Sequence, residues 1–481
     1  MKSKFIIKSC LILILLSMSV SFIYANSNIK NYDKNVIKQN ALPDKLQPKI
    51  HHMMIKNDVL RYFSHGDEIK NQLKENSNYF ETGRSNFTKY LFPRIIAYYY
   101  LITDESLYQD IEKKYVKIGA HQNFLFFQIL LYYLSVCFLY YQIRDKINEK
   151  VLFFTLLFLC LEPTIIQYHG SFWSESIFFS FQVLIIGLVL NHKSSVYRLF
   201  ILGILLSFLA FQRSNGLYYI VPVVVYLFFA KEFNFFKKII FVFLGFLILL
   251  NIIGYHNYKK SGEFFIIPIE TKSVLHTYVL TEILEKDEFE KEKKETINLI
   301  QSKKIEIDIS KLNDTEYSRF SFLFCEDFDL NKSLDYLSIC EYLNNRAKKV
   351  ILDNPYKSLK YLIRNSLSFS LLNPFHIYSD HIFFSGKLYY QSDLHQDLKI
   401  YRVIYSILIY LVCFIGLLHL IKTKNTKLLF FIIISSLYFF SILSWHGNNR
   451  YFTPVLIYFS FLFGNGVYSM KDVFFKKTKK I

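Results

Sequence analysis

The sequence predicts an all-α polytopic membrane protein with about ten transmembrane helices and two large extracytoplasmic segments. Three observations carry that expectation. The chain of 481 residues is 52% hydrophobic and 19% aromatic, more apolar side chain than one soluble core of ordinary make-up requires. Its apolar runs repeatedly approach the ~20 residues a helix needs to cross a hydrocarbon layer about 30 Å thick. Its short loops are sorted by charge, with Lys and Arg collected on alternate connections.

In order, the candidate spans lie near residues 5–25, 121–142, 151–168, 174–191, 197–212, 215–230, 238–255, 399–421, 427–444 and 452–469. The run "FPRIIAYYYLI" at 92–102 is too short to span and is expected at the interface or as a re-entrant piece. Sides follow from the cations, because basic short loops stay in the cytoplasm. With Lys2, Lys4 and Lys8 inside, the loops "RDKINEK", "NHKSSVYR", "AKEFNFFKK" and "KTKNTK" and the tail "KDVFFKKTKKI" become cytoplasmic, and every one is basic. Segments 26–120 and 256–398 remain outside, with the short loops "EPTIIQYHGSFW", "QRSNG" and "SWHGNNRY". The chain so divides into a first span (1–25), a first outer loop (26–120), a six-span core (121–255), a large outer loop (256–398) and a three-span bundle with its basic tail (399–481). The net charge of +18 is then largely a topology signal; its cations hug membrane ends, so the lipid bilayer and not a nucleic acid is the expected partner. The N-terminus also fits a cleaved signal peptide, but Ile23, where a small residue is preferred, favours a retained span.

Neither outer segment is expected to be a plain linker. In 57–80 the apolar positions Leu60, Phe63, Ile69 and Leu73 recur at helical spacing, which predicts a helix against the bilayer surface. The run "EILEKDEFEKEKKETINLIQSKK" predicts a solvated helix face, and "DNPYKSLKYLIRNSLSFSLLNPF" becomes apolar enough to pack on the membrane. Cys10, Cys137, Cys160 and Cys413 fall within spans as small packing residues. Cys325 and Cys340 are placed to form a bridge if their segment faces an oxidising space.

The topology gathers the chemically interesting residues on the outer face. Asp67 and Glu68 lie in the first outer segment; Glu162, His169 and Glu175 flank one short loop; Arg213 lies in the next; His446 and Arg450 lie in the last. Each has a plainer reading. Asp67 follows Gly66 as a helix N-cap would, Arg213 and Arg450 fit interface anchors that snorkel to water, and an interfacial His is commonly a structural hydrogen-bonder. Glu175 fits the favourable N-terminal end of a helix dipole. Two arginines on the non-cytoplasmic face nonetheless run against the usual charge bias, and arginine is well shaped to grip phosphate.

Four stretches together resemble the GT-C superfamily of integral-membrane glycosyltransferases, especially the protein O-mannosyltransferase and aminoarabinose-transferase relatives of bacteria. "GDEIKNQLKENSNYF" followed by "FPRIIAYYYLI" resembles that family's first outer loop, and "LEPTIIQYHGSFWSESIFFSFQVL" its third-to-fourth-span connection. "GILLSFLAFQRSNGLYYIVPVVVYLF" is similar to a Gly-apolar-Arg-x-x-Gly-apolar-Pro stretch, and "GNNRYFTPVLIYFSFLFG" to a late Arg-Tyr-x-x-Pro segment. The longer spacing from the first span to Asp67 departs from the family pattern.

The resemblance implies a GT-C-like core, a place in the bacterial cytoplasmic membrane, and transfer of a sugar from a polyprenyl-phosphate donor to a lipid, glycan or protein acceptor. Displacement at an anomeric carbon needs a carboxylate to take the proton of the attacking hydroxyl or amine and cations for the departing phosphate. Asp67 is the expected base, with Glu68 second. Arg213 and Arg450 are expected at the donor phosphate, helped by His446 or His169, and Glu175 positions the acceptor or the first loop. No cofactor is assigned: no carboxylate cluster has metal-ligand spacing, which leaves a divalent metal open. Rival readings are a surface-polysaccharide ligase or polymerase and a lipid-linked glycan flippase.

Overall fold

The computed structural model describes residues 2–40, 57–75, 91–104, 121–191, 195–230, 235–262, 264–266, 275–276, 279–280, 282–302, 334–370, 372, 399–446 and 451–477. Among these residues the protein is helical, with no strand. The helices are α1 (Lys2–Asn40), α2 (Asn57–Lys74), α3 (Leu91–Thr103), α4 (Gln122–Ile143), α5 (Glu149–Leu161), α6 (Pro163–His169), α7 (Glu175–Leu190) and α8 (Val196–Gln212). A 3₁₀ turn (Ser214–Tyr219) leads to α9 (Ile220–Phe229) and α10 (Phe235–Ser261). Then come α11 (Lys286–Ser302), α12 (Leu334–Asp353), α13 (Pro355–Phe369), α14 (Lys399–Lys422), α15 (Thr426–His446) and α16 (Thr453–Lys477).

Among the described residues five helices are long and apolar enough to cross a membrane, or six if the pair α5 and α6, bent by 49°, forms one span. Helices α7, α8 and the turn-plus-α9 segment are apolar but shorter. At 1.5 Å rise per residue, the 16 residues of α7 cover about 24 Å, less than a full hydrocarbon layer.

Glycine sets how closely the helices approach, as expected where lipid supplies no hydrophobic drive between them. A Cβ on Gly203 of α8 would stand 2.1 Å from the Val242 carbonyl oxygen, and one on Gly245 of α10 would stand 2.2 Å from that of Phe200. The same device locks α16 twice. Gly466 abuts the Val412 carbonyl on α14, while Gly464 abuts Val151 and Thr155 on α5. Ser21 of α1 hydrogen-bonds Tyr133 of α4 at 2.8 Å, and Cys10, Ile14 and Ala25 of α1 enter the common core.

The described ends of the four basic connections fall at one end of this bundle. Lys146 and Lys424, from two of them, line one cleft; Asn191, opening the third, donates to Gln142; Ala230, opening the fourth, lines an adjoining groove with Lys427. Helices α4 and α7, which both end at this pole, and α8, which begins near it and runs antiparallel to them, carry their other ends to the opposite pole, where the candidate site lies.

Outside the bundle, Val279, Leu280, Ile283, Ala347, Val350 and Tyr361 form a second, smaller core, and α13 packs on α15. The solvated-face expectation for the charged run needs one correction. Glu292 of α11 is 1% exposed, because Arg346 of α12 donates to it at 2.5 Å. Cys340 is disulfide-bonded; Cys325 lies outside the described residues, and the remaining cysteines carry free thiols.

Candidate active site

The α5–α7 connection begins at Pro163, which disfavours helix for the residue before it and offers no N–H of its own. Glu162 is accordingly extended, and its carboxylate caps α6 by accepting from the Ile165 N–H at 2.9 Å and the Thr164 hydroxyl at 2.8 Å. Tyr405 of α14 donates to the same carboxylate at 3.3 Å. The break strands the last carbonyls of α5. Tyr132 and Tyr133 of α4 satisfy two of them, donating to Leu159 at 2.9 Å and Cys160 at 3.2 Å.

His169 closes α6 fully buried, its ring 4.2 Å from that of Tyr132 and its Nδ1 2.9 Å from the Ser176 hydroxyl. This contact ties the end of α6 to the first turn of α7. Ser174 and Glu175 follow at the head of α7, both 0% exposed.

Glu175 meets Arg213 there. Helix α8 ends because Arg213 takes an extended conformation, and Gly216 in the next turn lies so near the Leu209 carbonyl that a Cβ would stand 2.4 Å from it. That turn aims the guanidinium back at α7. Arg213 Nη1 donates to Glu175 Oε1, and the guanidinium carbon lies 5.0 Å above the Tyr451 ring, a cation–π arrangement. Gln212 reinforces the junction by donating to the Ser174 carbonyl at 2.9 Å. Tyr438 of α15 donates to the Asn215 carbonyl at 2.5 Å and fixes the turn from the other side.

Helix α2 approaches the same pole through aromatic contacts. Phe63 meets Phe172, within the α6–α7 connection, at 5.4 Å and Phe124 at 6.0 Å. One turn along α2, Gly66 faces Ile96 and the Pro93 carbonyl of α3. Asp67 follows it, 5% exposed, and Glu68 is half-buried. Asp67 sits well inside α2, so the N-cap reading of Gly66–Asp67 is overturned: the helix starts at Asn57, ten residues earlier. Lys70, on the same face, lies 5.6 Å from the Tyr100 ring centre and 3.7 Å from Asp104.

Arg213 is likewise no snorkelling anchor. It is 4% exposed and paired, which a lone interfacial cation reaching for water would not be. His446 closes α15, and its side chain, like all of Arg450, lies outside the described residues. Among the described residues no three His, Cys, Asp or Glu side chains gather as a metal-holding group.

No family model, curated protein or solved structure matches this chain.

The fold brings Glu175, Arg213 and His169 into one hydrogen-bonded neighbourhood and sets the Asp67 helix against its connecting loop. Sequence reasoning passed over several participants. Arg94 of α3, 4% exposed, lies 3.3 Å from Nε2 of fully buried His256 on α10. A cation inside an apolar 13-residue helix was the signal available for it. Gln128 donates to the Ser171 carbonyl at 3.1 Å. Its Oε1, Gln212 Oε1 and His169 Nε2 have no protein partner among the described residues, and buried polar atoms of this kind call for an explanation, whether an ordered water or a functional role. Glutamines in apolar helices give the sequence no spacing signature, which is why they escaped notice.

Proposed function

We propose that this protein is an integral-membrane glycosyltransferase, moving a sugar from a polyprenyl-phosphate carrier to a hydroxyl or amine of a lipid, glycan or protein acceptor. The observation that carries the reading is the buried Glu175–Arg213 pair over Tyr451, built where apolar helices end and beside the loop on which the Asp67 helix rests. In this reading ten segments cross the bilayer, the shorter helices and α16 joining the five or six of full length. The pole carrying Asp67 faces outward, opposite the basic connections.

Asp67 accepts the proton of the attacking oxygen or nitrogen, with Glu68 as the second carboxylate. The nucleophile's lone pair forms the new bond to the anomeric carbon, and the bond from that carbon to the phosphate oxygen breaks, leaving its electrons on the phosphate. Arg213 and Arg450 stabilise that developing charge, Arg213 being held by Glu175 and Tyr451 so that its remaining N–H groups serve the donor. His169, covered by Tyr132 and bonded to Ser176, fits a positioning role at the head of α7 better than direct contact with phosphate. His446 closes the helix leading toward Arg450. A single displacement inverts the anomeric centre.

The test incubates purified protein with a panel of polyprenyl-phosphate monosaccharides and membrane acceptors. Consumption of at least one donor, with a product of inverted anomeric configuration, is expected; no consumption of any donor by demonstrably folded protein would overturn the reading.

A further inference from the structure

At the pole opposite the candidate site, a cleft of about 640 Å³ opens between the α4–α5 connection, the end of α7, α9 and the α14–α15 turn. Its volume lies in the range of sites that take small organic groups. Lys146, Lys424 and Lys427 stand on its lining, with Ile143, Leu190 and Tyr226 beneath them, and among the described residues no carboxylate lines it. Lys146 is held at the rim by donating to the Leu190 carbonyl at 3.0 Å. The nearest acid in sequence, Asp145, lies 3.7 Å from Arg144. Among the described residues neither Lys424 nor Lys427 forms an ion pair, and both are exposed.

Lys424 is set by the backbone as well. It ends α14 with φ of 54°, its N–H bonding the Ile421 carbonyl while that of Asn425 bonds the Leu420 carbonyl. This is the two-bond helix stop at which glycine is the usual residue, so a lysine here keeps its charge against a steric preference for glycine.

The cleft does not end in solvent. A second space of about 280 Å³ shares Tyr226, Thr426 and Lys427 with it and continues between α9 and α15 over Phe229, Phe430 and Ile433. Phe229 and Phe430 pack at 4.3 Å there, and Phe228 and Phe229 stay more than half exposed, as side chains facing lipid do. A cationic headgroup cleft thus runs into an apolar slot on the bundle's outer wall.

We propose that this cleft and slot bind one anionic glycerophospholipid, its phosphate held by Lys146, Lys424 and Lys427 and one acyl chain laid between α9 and α15. Basic pockets between membrane helices recognise anionic headgroups in this way, and the four basic connections place this pole against the leaflet surface richest in them. The site is independent of the sugar-transfer chemistry at the other pole. Bound lipid joins the α14–α15 turn to the α4–α5 connection, two parts of the bundle that come from opposite halves of the chain.

Native mass spectrometry of the detergent-solubilised full chain, titrated with phosphatidylglycerol, phosphatidylcholine or soluble glycerol 3-phosphate, tests this. Tighter retention of phosphatidylglycerol than phosphatidylcholine is expected, with no competition by glycerol 3-phosphate. Lys424→Gln and Lys427→Gln should each weaken the preference about fivefold, and Ile433→Trp, which fills the exposed slot, should weaken retention while sparing charge. Equal retention of both lipids, an undiminished preference in the lysine variants, or full competition by glycerol 3-phosphate would each overturn the proposal. None of these readouts requires sugar transfer, so failure here and failure of the transferase reading are separable.

Discussion

Glu175 and Arg213, 38 residues apart in sequence, form an ion pair in which the carboxylate is 0% and the arginine 4% exposed. Removing two charges from water costs several kcal/mol each, so such a pair persists only where geometry and further hydrogen bonds compensate. Here the compensation comes from Ser174, 3.3 Å from the Glu175 carboxylate, and from the Tyr451 ring beneath the guanidinium. Glu175→Gln alone strands a buried cation and should destabilise the fold by about 3–5 kcal/mol. The double variant with Arg213→Gln should lose less than the two single losses combined. Thermal melts of the four proteins in one detergent measure this; additive losses would contradict it.

Arg213→Lys separates charge from shape. Lysine keeps the cation but loses the planar fork that lies over Tyr451 while donating to Glu175. Donor affinity should fall about tenfold, the scale of one charge-assisted hydrogen bond. Unchanged affinity, measured by donor titration of folded protein, would return Arg213 to a purely structural role.

The glycine contacts predict a graded response. Gly203→Ala puts its Cβ 2.1 Å from the Val242 carbonyl oxygen and 2.8 Å from the Phe246 nitrogen, so α8 and α10 must part, at a cost of about 1–3 kcal/mol. Gly187→Ala meets only the Phe138 ring at 3.1 Å and the Gln142 side chain, both able to yield. A melting temperature lowered clearly by the first and little by the second is expected.

The segment outside the bundle should lose stability in mild acid. Burial, and then the Arg346 charge, hold His276 down at about 3. The unfolded chain takes up that proton near pH 6.5, so the contribution is complete above that pH and declines as pH falls toward 3. Glu292 works in the opposite direction, because burial raises its carboxyl despite the Arg346 hydrogen bond, but His276 carries the larger shift. Hydrogen-exchange protection of α11 and α12, corrected for intrinsic rates, should drop by on the order of 1–2 kcal/mol between pH 7 and pH 5. In His276→Gln the dependence should flatten; an unchanged slope would remove His276 as its source.

Much of this architecture was legible in the sequence because hydropathy and charge bias are local signals. The apolar runs coincide with helices from α1 to α16, and the described ends of the four basic connections share a pole. Partnership was not legible. Arg213 is marked as unusual by its setting between two apolar runs, but nothing in "FQRSNG" says that Glu175 neutralises it, since that depends on how α7 and α8 end. The helix carrying Asp67 was legible from the spacing of Leu60, Phe63, Ile69 and Leu73, and α2 follows it; the N-cap reading competed with it because a Gly-Asp pair imitates a helix start. The apolar runs near 174–191, 197–212 and 215–230 become helices of nearly those lengths, shorter than a hydrocarbon layer; what the run near 151–168 did not reveal is the 49° bend at Pro163 between α5 and α6.

The most direct test of the central claim is the rate of sugar transfer by Asp67→Asn beside the wild type, with the active donor at saturation. Asparagine keeps the size of the buried side chain and cannot take the nucleophile's proton. If Asp67 is the base, the rate falls about 10²–10⁴-fold, the usual contribution of a general base, with the melting temperature and donor affinity retained. Transfer at the wild-type rate by the folded variant would contradict it and remove Asp67 from the chemistry.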